Sequence, residues 1–110
     1  MKRVVVAFGV DGTLRDAPRP SADKLIYKIH PDISFMMITL SRMKNVKIIV
    51  WSSRGKAYAE EMVRRFHWRK YVWRVEDKSP EVAAKYNVDI AFDDEHSFDL
   101  ANVNIIVRNK

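Results

Sequence analysis

The chain has no cysteine among its 110 residues. That excludes disulfides and zinc–thiolate sites. No apolar run approaches the ~20 residues that span a bilayer. The start, Met1-Lys2-Arg3, runs straight into strand-like residues with no small-residue cleavage site behind it. A signal peptide is therefore not expected, and a cytoplasmic protein without a membrane partner is. Internal repeats and low-complexity segments are absent as well. With 47% apolar residues, three Trp and five Phe, the composition is that of a globular chain, not a disordered one. Its length suits one domain, residues 1–110, with one hydrophobic core. The net charge is +6. A basic excess is either a footprint for nucleic acid or another polyanion, or a solvated surface.

The apolar segments alternate in type. Residues 3–8 and Val46–Trp51 read as buried strands, the second closed by Ser52-Ser53-Arg54-Gly55. Tyr71–Val75, Asp89–Phe92 and Asn104–Val107 are further strands. Ile33, Met36, Met37, Leu40 and Met43 recur with helical spacing and predict one apolar helix face. A second helix is predicted over residues 56–66. Its inner stripe is Ala59, Met62, Val63 and Phe66, and Glu60–Arg64 and Glu61–Arg65 pair outside. Ser79-Pro80-Glu81 starts a third, with Ser79 as N-cap. Three of the four prolines fall in residues 15–32, which mark an irregular flap with a short helical piece around Asp23–Tyr27. Strands alternating with helices predict an α/β fold with a parallel sheet of about five strands.

In such sheets ligands gather at the carboxyl ends of the strands. Three ends here carry polar or acidic groups: Asp11 to Thr13, Ser52 to Arg54, and Asp93 with Asp94. Carboxylates crowded at one sheet end repel unless a cation intervenes, and oxygen ligands of this kind suit Mg²⁺ with a substrate phosphate. Ser52, Arg54 and Lys78 offer the donors and positive charge that phosphoryl oxygens require. Backbone N–H groups around Gly12 and Gly55 are candidates to extend the cradle.

The stretch Val4–Leu14 resembles motif I of the haloacid dehalogenase superfamily, mostly phosphatases, an apolar strand followed by Asp-x-Asp-Gly-Thr. Asp11, Gly12, Thr13 and Leu14 match; the position of the nucleophilic aspartate holds Gly9. The resemblance covers nearly the whole chain and implies a Rossmann-like sheet. It implies general acid/base chemistry for Asp11, with its backbone carbonyl on the metal. It implies phosphoryl contact from Ser52, charge neutralisation by Lys78, substrate contacts from Thr13, Ser53 and Arg54, and a Mg²⁺ held by Asp93 and Asp94. Lys85 is a weaker match than Lys78. Asp99 is either an outer participant or a surface acid, and His96 alone among the histidines is placed near the site.

Glycine at position 9 can neither attack phosphorus nor bind metal. The chain as it stands is expected to be inactive or nearly so. Two origins fit: a parent phosphatase whose nucleophile has been replaced, and a natural non-catalytic protein that binds phosphate or nucleic acid. Only 38 residues lie between Thr13 and Ser52, so no large cap is expected, and an open site suits a phosphate on a nucleic-acid end or another large molecule. Nucleotides also fit if the flap or a homo-oligomer partner closes the site. The Ser52-Ser53-Arg54 turn and the Asp93-Asp94 pair resemble the 3′-phosphatase module of polynucleotide kinase/phosphatase enzymes. Arg64 to Lys70 mixes basic and aromatic residues, either as a phosphate-plus-stacking surface or as a helix end with Phe66 and Trp68 packed inward.

Overall fold

Residues 2–15, 20–21, 24–25, 30–94 and 100–107 are described here, from a computed structural model of the chain. Five strands form one parallel sheet: β1 (Val4–Gly9), β4 (Val46–Ser52), β5 (Arg74–Asp77), β6 (Ile90–Asp93) and β7 (Val103–Ile106), in the order β5-β4-β1-β6-β7. A two-residue pair, β2 (Pro20–Ser21) with β3 (Lys24–Leu25), stands apart from it. Three α-helices cover the sheet: α1 (Pro31–Ser41), α2 (Lys56–Arg65) and α3 (Pro80–Tyr86). The α/β architecture with five parallel strands is as expected, and it is Rossmann-like. No helix among the described residues is long and apolar enough to cross a membrane.

The central strands are buried on both faces, which is why they read as unbroken apolar runs. Side chains alternate between two cores. Val6 and Phe8 face Ile48, Val50, Met37 of α1, and Ala59, Met62 and Val63 of α2. Val5 and Ala7 face Ile49, Trp51 and Ala83 of α3. Two helices thus lie on one face and α3 on the other. The chain runs outward from β1 to β4 and β5, then returns across β1 to β6. The sheet therefore reverses its winding between β1 and β6, where open α/β sheets form their ligand crevice.

Helix α3 begins as its sequence dictates. Ser79 Oγ accepts the Val82 N–H at 3.2 Å, Pro80 takes the first turn, and Asn87 closes the helix in the left-handed region at φ 51°.

Several boundaries differ from expectation. The third strand was expected at Tyr71–Val75, but residues 69–71 form a 3₁₀ turn and β5 starts at Arg74. Tyr71 N–H is spent on Trp68 O, and pairing with β4 resumes only where Trp73 N–H reaches Ile48 O. The strand expected over Asp89–Phe92 shifts one residue on, because the Asp89 carboxylate turns back to accept the Val5 N–H at 2.9 Å. The last strand lies one residue earlier than expected.

In α1 only Met37 is fully buried. Ile33 and Leu40 pack against it, while Met36 (40% exposed) and Met43 (52%) do not share the inner stripe. Met43 lies beyond the helix end, and Met36 sits about 100° around the axis from Met37. The helical piece expected around Asp23–Tyr27 is not seen at Lys24–Leu25, which are extended and paired to Pro20–Ser21. The remainder of that piece lies outside the described residues.

Candidate functional site

The carboxyl ends of β1, β4 and β6 open into one cleft of about 270 Å³. It is lined by Gly9 and Asp11 at and after the end of β1, Ser52 and Arg54 at and after the end of β4, Asp93 and Asp94 at and after the end of β6, and Lys78 after β5. Val10, Trp51 and Ser53 complete the wall. Groups separated by more than eighty positions meet because β1 lies between β4 and β6. Register sets the level: Gly9 is opposite Trp51 on β4, and Phe8 is opposite Phe92, so Gly9 and Asp93 end their strands side by side.

Gly9 has no positive φ, so its backbone accepts any residue. A β-carbon placed there would lie 2.9 Å from Asp93 Oδ2 and 3.4 Å from Thr13 Oγ1. Thr13 is fully buried, and its hydroxyl has no hydrogen-bond partner among the described residues. A buried hydroxyl without a partner costs about 1–3 kcal/mol. Here it borders the space that a side chain at position 9 would enter. Asp93 leans toward the same space and is held by Lys78, Nζ to Oδ2 at 3.0 Å, with both side chains largely buried.

Gly12 is glycine for two reasons. Its φ is +76°, and a β-carbon there would run into the Asp94 carboxylate. The acidic turn after β6 thus packs directly on the turn after β1.

Ser52 is buried (5% exposed), and its Oγ accepts the Arg54 N–H at 3.0 Å. That leaves the hydroxyl proton to donate into the cleft. Gly55 is not part of a phosphate cradle: its N–H donates to Ser52 O at 3.1 Å, and it does not line the cleft. Lys78 N–H donates to the same carbonyl at 2.9 Å, which fixes the lysine beside the β4 turn. Lys85 sits on α3 against Tyr86, away from the cleft. Asp99 and His96 lie outside the described residues.

Asp11 is the most heavily engaged group. Arg15 approaches Oδ1 at 2.8 Å, the Tyr58 hydroxyl donates to the same oxygen, and Arg54 donates to Oδ2 at 3.3 Å. Arg15 also donates to Tyr58 Oη at 2.6 Å. The Arg15 side chain is fully buried, whereas Arg54 is half exposed and lies over the Tyr58 ring at 4.2 Å. The hydrogen bond to Asp11 is the main cause raising the Arg54 guanidinium pKa above its ordinary value. Burial, then the bond to Asp11, raises that of the Tyr58 phenol. Sequence reasoning missed both Arg15 and Tyr58. Arg15 read as the start of the flap, although its spacing of four from Asp11 was a signal. Nothing in the sequence ties Tyr58, on α2, to Asp11.

The basic–aromatic run after α2 resolves as a packed helix end. Trp68 is 3% exposed within the core and rests against Phe66 at 4.9 Å. Arg64 and Arg65 pair with Glu61, and Arg69 with Glu60. The expected Glu60–Arg64 pair is replaced by Glu61–Arg64, three residues apart.

No protein-family model matches this chain, and no curated protein or solved structure is significantly similar to it.

Proposed function

We propose that the cleft binds the phosphoryl group of a phosphomonoester, carried on a nucleotide or a nucleic-acid end, on a scaffold that is a Mg²⁺-dependent phosphatase when position 9 is aspartate. With Gly9 the chain binds and does not turn over. The observation that carries this reading is that position 9 lies against the Asp93 carboxylate and the buried Thr13 hydroxyl, which has no partner among the described residues. The φ of Gly9 suits an aspartate, whose β-carbon requires the Asp93 carboxylate, paired with Lys78, to move aside. Around it stand the Ser52 hydroxyl and two cations, Lys78 and Arg54, as an oxyanion with several equivalent oxygens requires.

In the Gly9 chain the Asp93 and Asp11 carboxylates are engaged with cations and not arranged around a Mg²⁺. Asp93 is ion-paired with Lys78, both Asp11 oxygens are taken by cations and a phenol, and no cluster of three ligating side chains is formed among the described residues. A carboxylate at position 9, beside Asp93, supplies what is lacking, so Mg²⁺ belongs to the Gly9→Asp form in this reading. Mg²⁺ needs near-octahedral oxygen ligation and takes one or two carboxylates together with substrate phosphate. The engaged state of Asp11 favours the second reading, a binding protein without catalysis, because an acid/base group must have an oxygen free for the proton it moves.

The test compares the Gly9 chain with Gly9→Asp for release of phosphate from p-nitrophenyl phosphate, with and without Mg²⁺. The proposal expects Mg²⁺-dependent release by the variant only, and loss of that release when Asp11→Asn is added. Silence from both proteins, with phosphate binding retained in the Gly9 chain and weakened by Lys78→Ala, refutes the phosphatase reading and leaves the binding one. A panel of 3′-phosphorylated oligonucleotides, nucleotides and phosphopeptides then ranks substrates.

A further inference from the structure

The cleft is lined by acids as well as cations, the arginines of α2 are paired to Glu61, and Arg69 beyond the helix is paired to Glu60. Much of the remaining excess positive charge collects at the opposite edge of the sheet, where the strands begin. Arg3 precedes β1, Lys44 and Lys47 flank the start of β4, and Arg74 opens β5. Arg3, Lys47 and Arg74 project to the α3 face, since Lys47 is in register with Val5 and Arg74 with Ile49 of that core. Arg3, Lys44, Asn45 and Lys47 line a hollow of about 300 Å³. Asn45 Nδ2 donates to Lys2 O at 3.2 Å, which ties the segment before β1 to the turn before β4.

Aromatic rings hold the two arginines of this edge. The guanidiniums of Arg3 and Arg74 lie over the Trp73 ring at 4.8 and 5.1 Å. Arg74 and Lys85 lie near the Tyr86 ring at 5.9 and 5.3 Å, and Trp73 meets Tyr86 edge-on. A ring fixes a cation in place without neutralising it. Among the described residues no salt bridge involves Arg3, Lys44, Lys47, Arg74 or Lys85. Asp89 and Glu76 are engaged elsewhere: Asp89 accepts the Val5 N–H, while Glu76 accepts from Tyr86 Oη and faces Lys56 at 3.9 Å.

We propose that this edge is a second anion-binding surface, independent of the cleft, that takes the sugar–phosphate backbone of a single-stranded nucleic acid. Several neighbouring cations with no ion pair among the described residues, two of them fixed over Trp73, suit a repeating phosphate better than one isolated anion. The hollow is large enough for a phosphate group, and the guanidiniums beside it continue the track along α3. Binding here needs neither position 9 nor a terminal phosphate.

The test uses the full chain and a fluorescein-labelled 20-mer single-stranded DNA with hydroxyl groups at both ends, read by fluorescence anisotropy across a salt series. The triple variant Lys44→Gln/Lys47→Gln/Arg74→Gln is expected to bind at least about tenfold more weakly. Its log–log salt slope should fall by about 2, since each single-strand phosphate contact contributes about 0.7. Arg64→Gln/Arg65→Gln/Lys70→Gln removes the same charge elsewhere and should weaken binding much less. Lys78→Ala in the cleft should leave it unchanged. Because Arg74 also packs on Trp73, Lys44→Glu alone, at an exposed position, provides a second variant and is expected to weaken binding at least threefold. Equal losses in the two triple variants, no loss with Lys44→Glu, a loss with Lys78→Ala, or preference for anionic phosphatidylserine vesicles over the oligonucleotide would each overturn the proposal.

Discussion

Removing Asp11 should cost more than removing both Asp11 and Arg15. Arg15 is fully buried, and its charge is matched by Asp11 at 2.8 Å with help from the Tyr58 hydroxyl at 2.6 Å. Truncating one partner of a buried pair costs about 3–5 kcal/mol, because the other charge is stranded out of water. Asp11 is one-fifth exposed and Tyr58 stays in place, so Asp11→Ala belongs at the low end, about 3 kcal/mol. Adding Arg15→Met removes the buried cation that has lost this carboxylate and keeps much of its apolar volume. The double variant should therefore be about 2 kcal/mol more stable than Asp11→Ala. Urea unfolding followed by Trp fluorescence reads this directly. With a slope of about 2 kcal/mol/M, the midpoint falls by about 1.5 M in the single variant and recovers by about 1 M in the double. A single variant within about 1 kcal/mol of the parent, or a double variant no more stable than the single, would refute the account of Arg15 as a buried charge that depends on Asp11. The same result governs activity work: Asp11→Asn keeps a partner for Arg15 and is the sounder probe of proton transfer.

Gly12→Ala must force a β-carbon into a left-handed conformation and against Asp94, so a loss of about 1–3 kcal/mol is expected by thermal denaturation. Met37→Ala empties a fully buried site and should cost about 2–5 kcal/mol, whereas Met36→Ala and Met43→Ala should each stay within about 0.5 kcal/mol. Tyr58 carries a phenol whose pKa is raised from 10.0, chiefly by burial and then by its bond to Asp11. Above that ordinary value the unfolded chain loses the proton before the folded one does. The stability it contributes is therefore complete below the ordinary value and lost as pH rises through the folded one. Absorbance at 295 nm should show a late-ionising phenol that Tyr58→Phe abolishes, with a shallower alkaline loss of stability in that variant.

Strand and helix identity was largely legible because the apolar residues of β1 and β4 form unbroken runs and those of α2 keep helical spacing. Strand ends were less so. The aromatic run Tyr71–Trp73 has strand composition, yet its first residues close a local turn, and hydrogen bonding to β4 decided where β5 began. The cations of Arg64 to Lys70 were visible, but that Glu60 and Glu61 compensate three of them is a matter of side-chain reach. Trp68 shows the same limit: an aromatic beside arginines is a stacking platform or a core residue, and only packing separates the two.

By itself the sequence determined that the chain forms an α/β fold, and that the turns after β1, β4 and β6 carry its polar and acidic groups. Those follow from local periodicity and from the topology that alternating elements impose. Tertiary structure alone decided what these groups do to one another. It brought Asp93 against Gly9, closed Arg15 and Tyr58 around Asp11, and gathered Arg3, Lys47 and Arg74 on the far edge of the sheet. Each of these depends on register between strands and on which cation finds an acid within reach. Neither is encoded within a window of neighbouring residues.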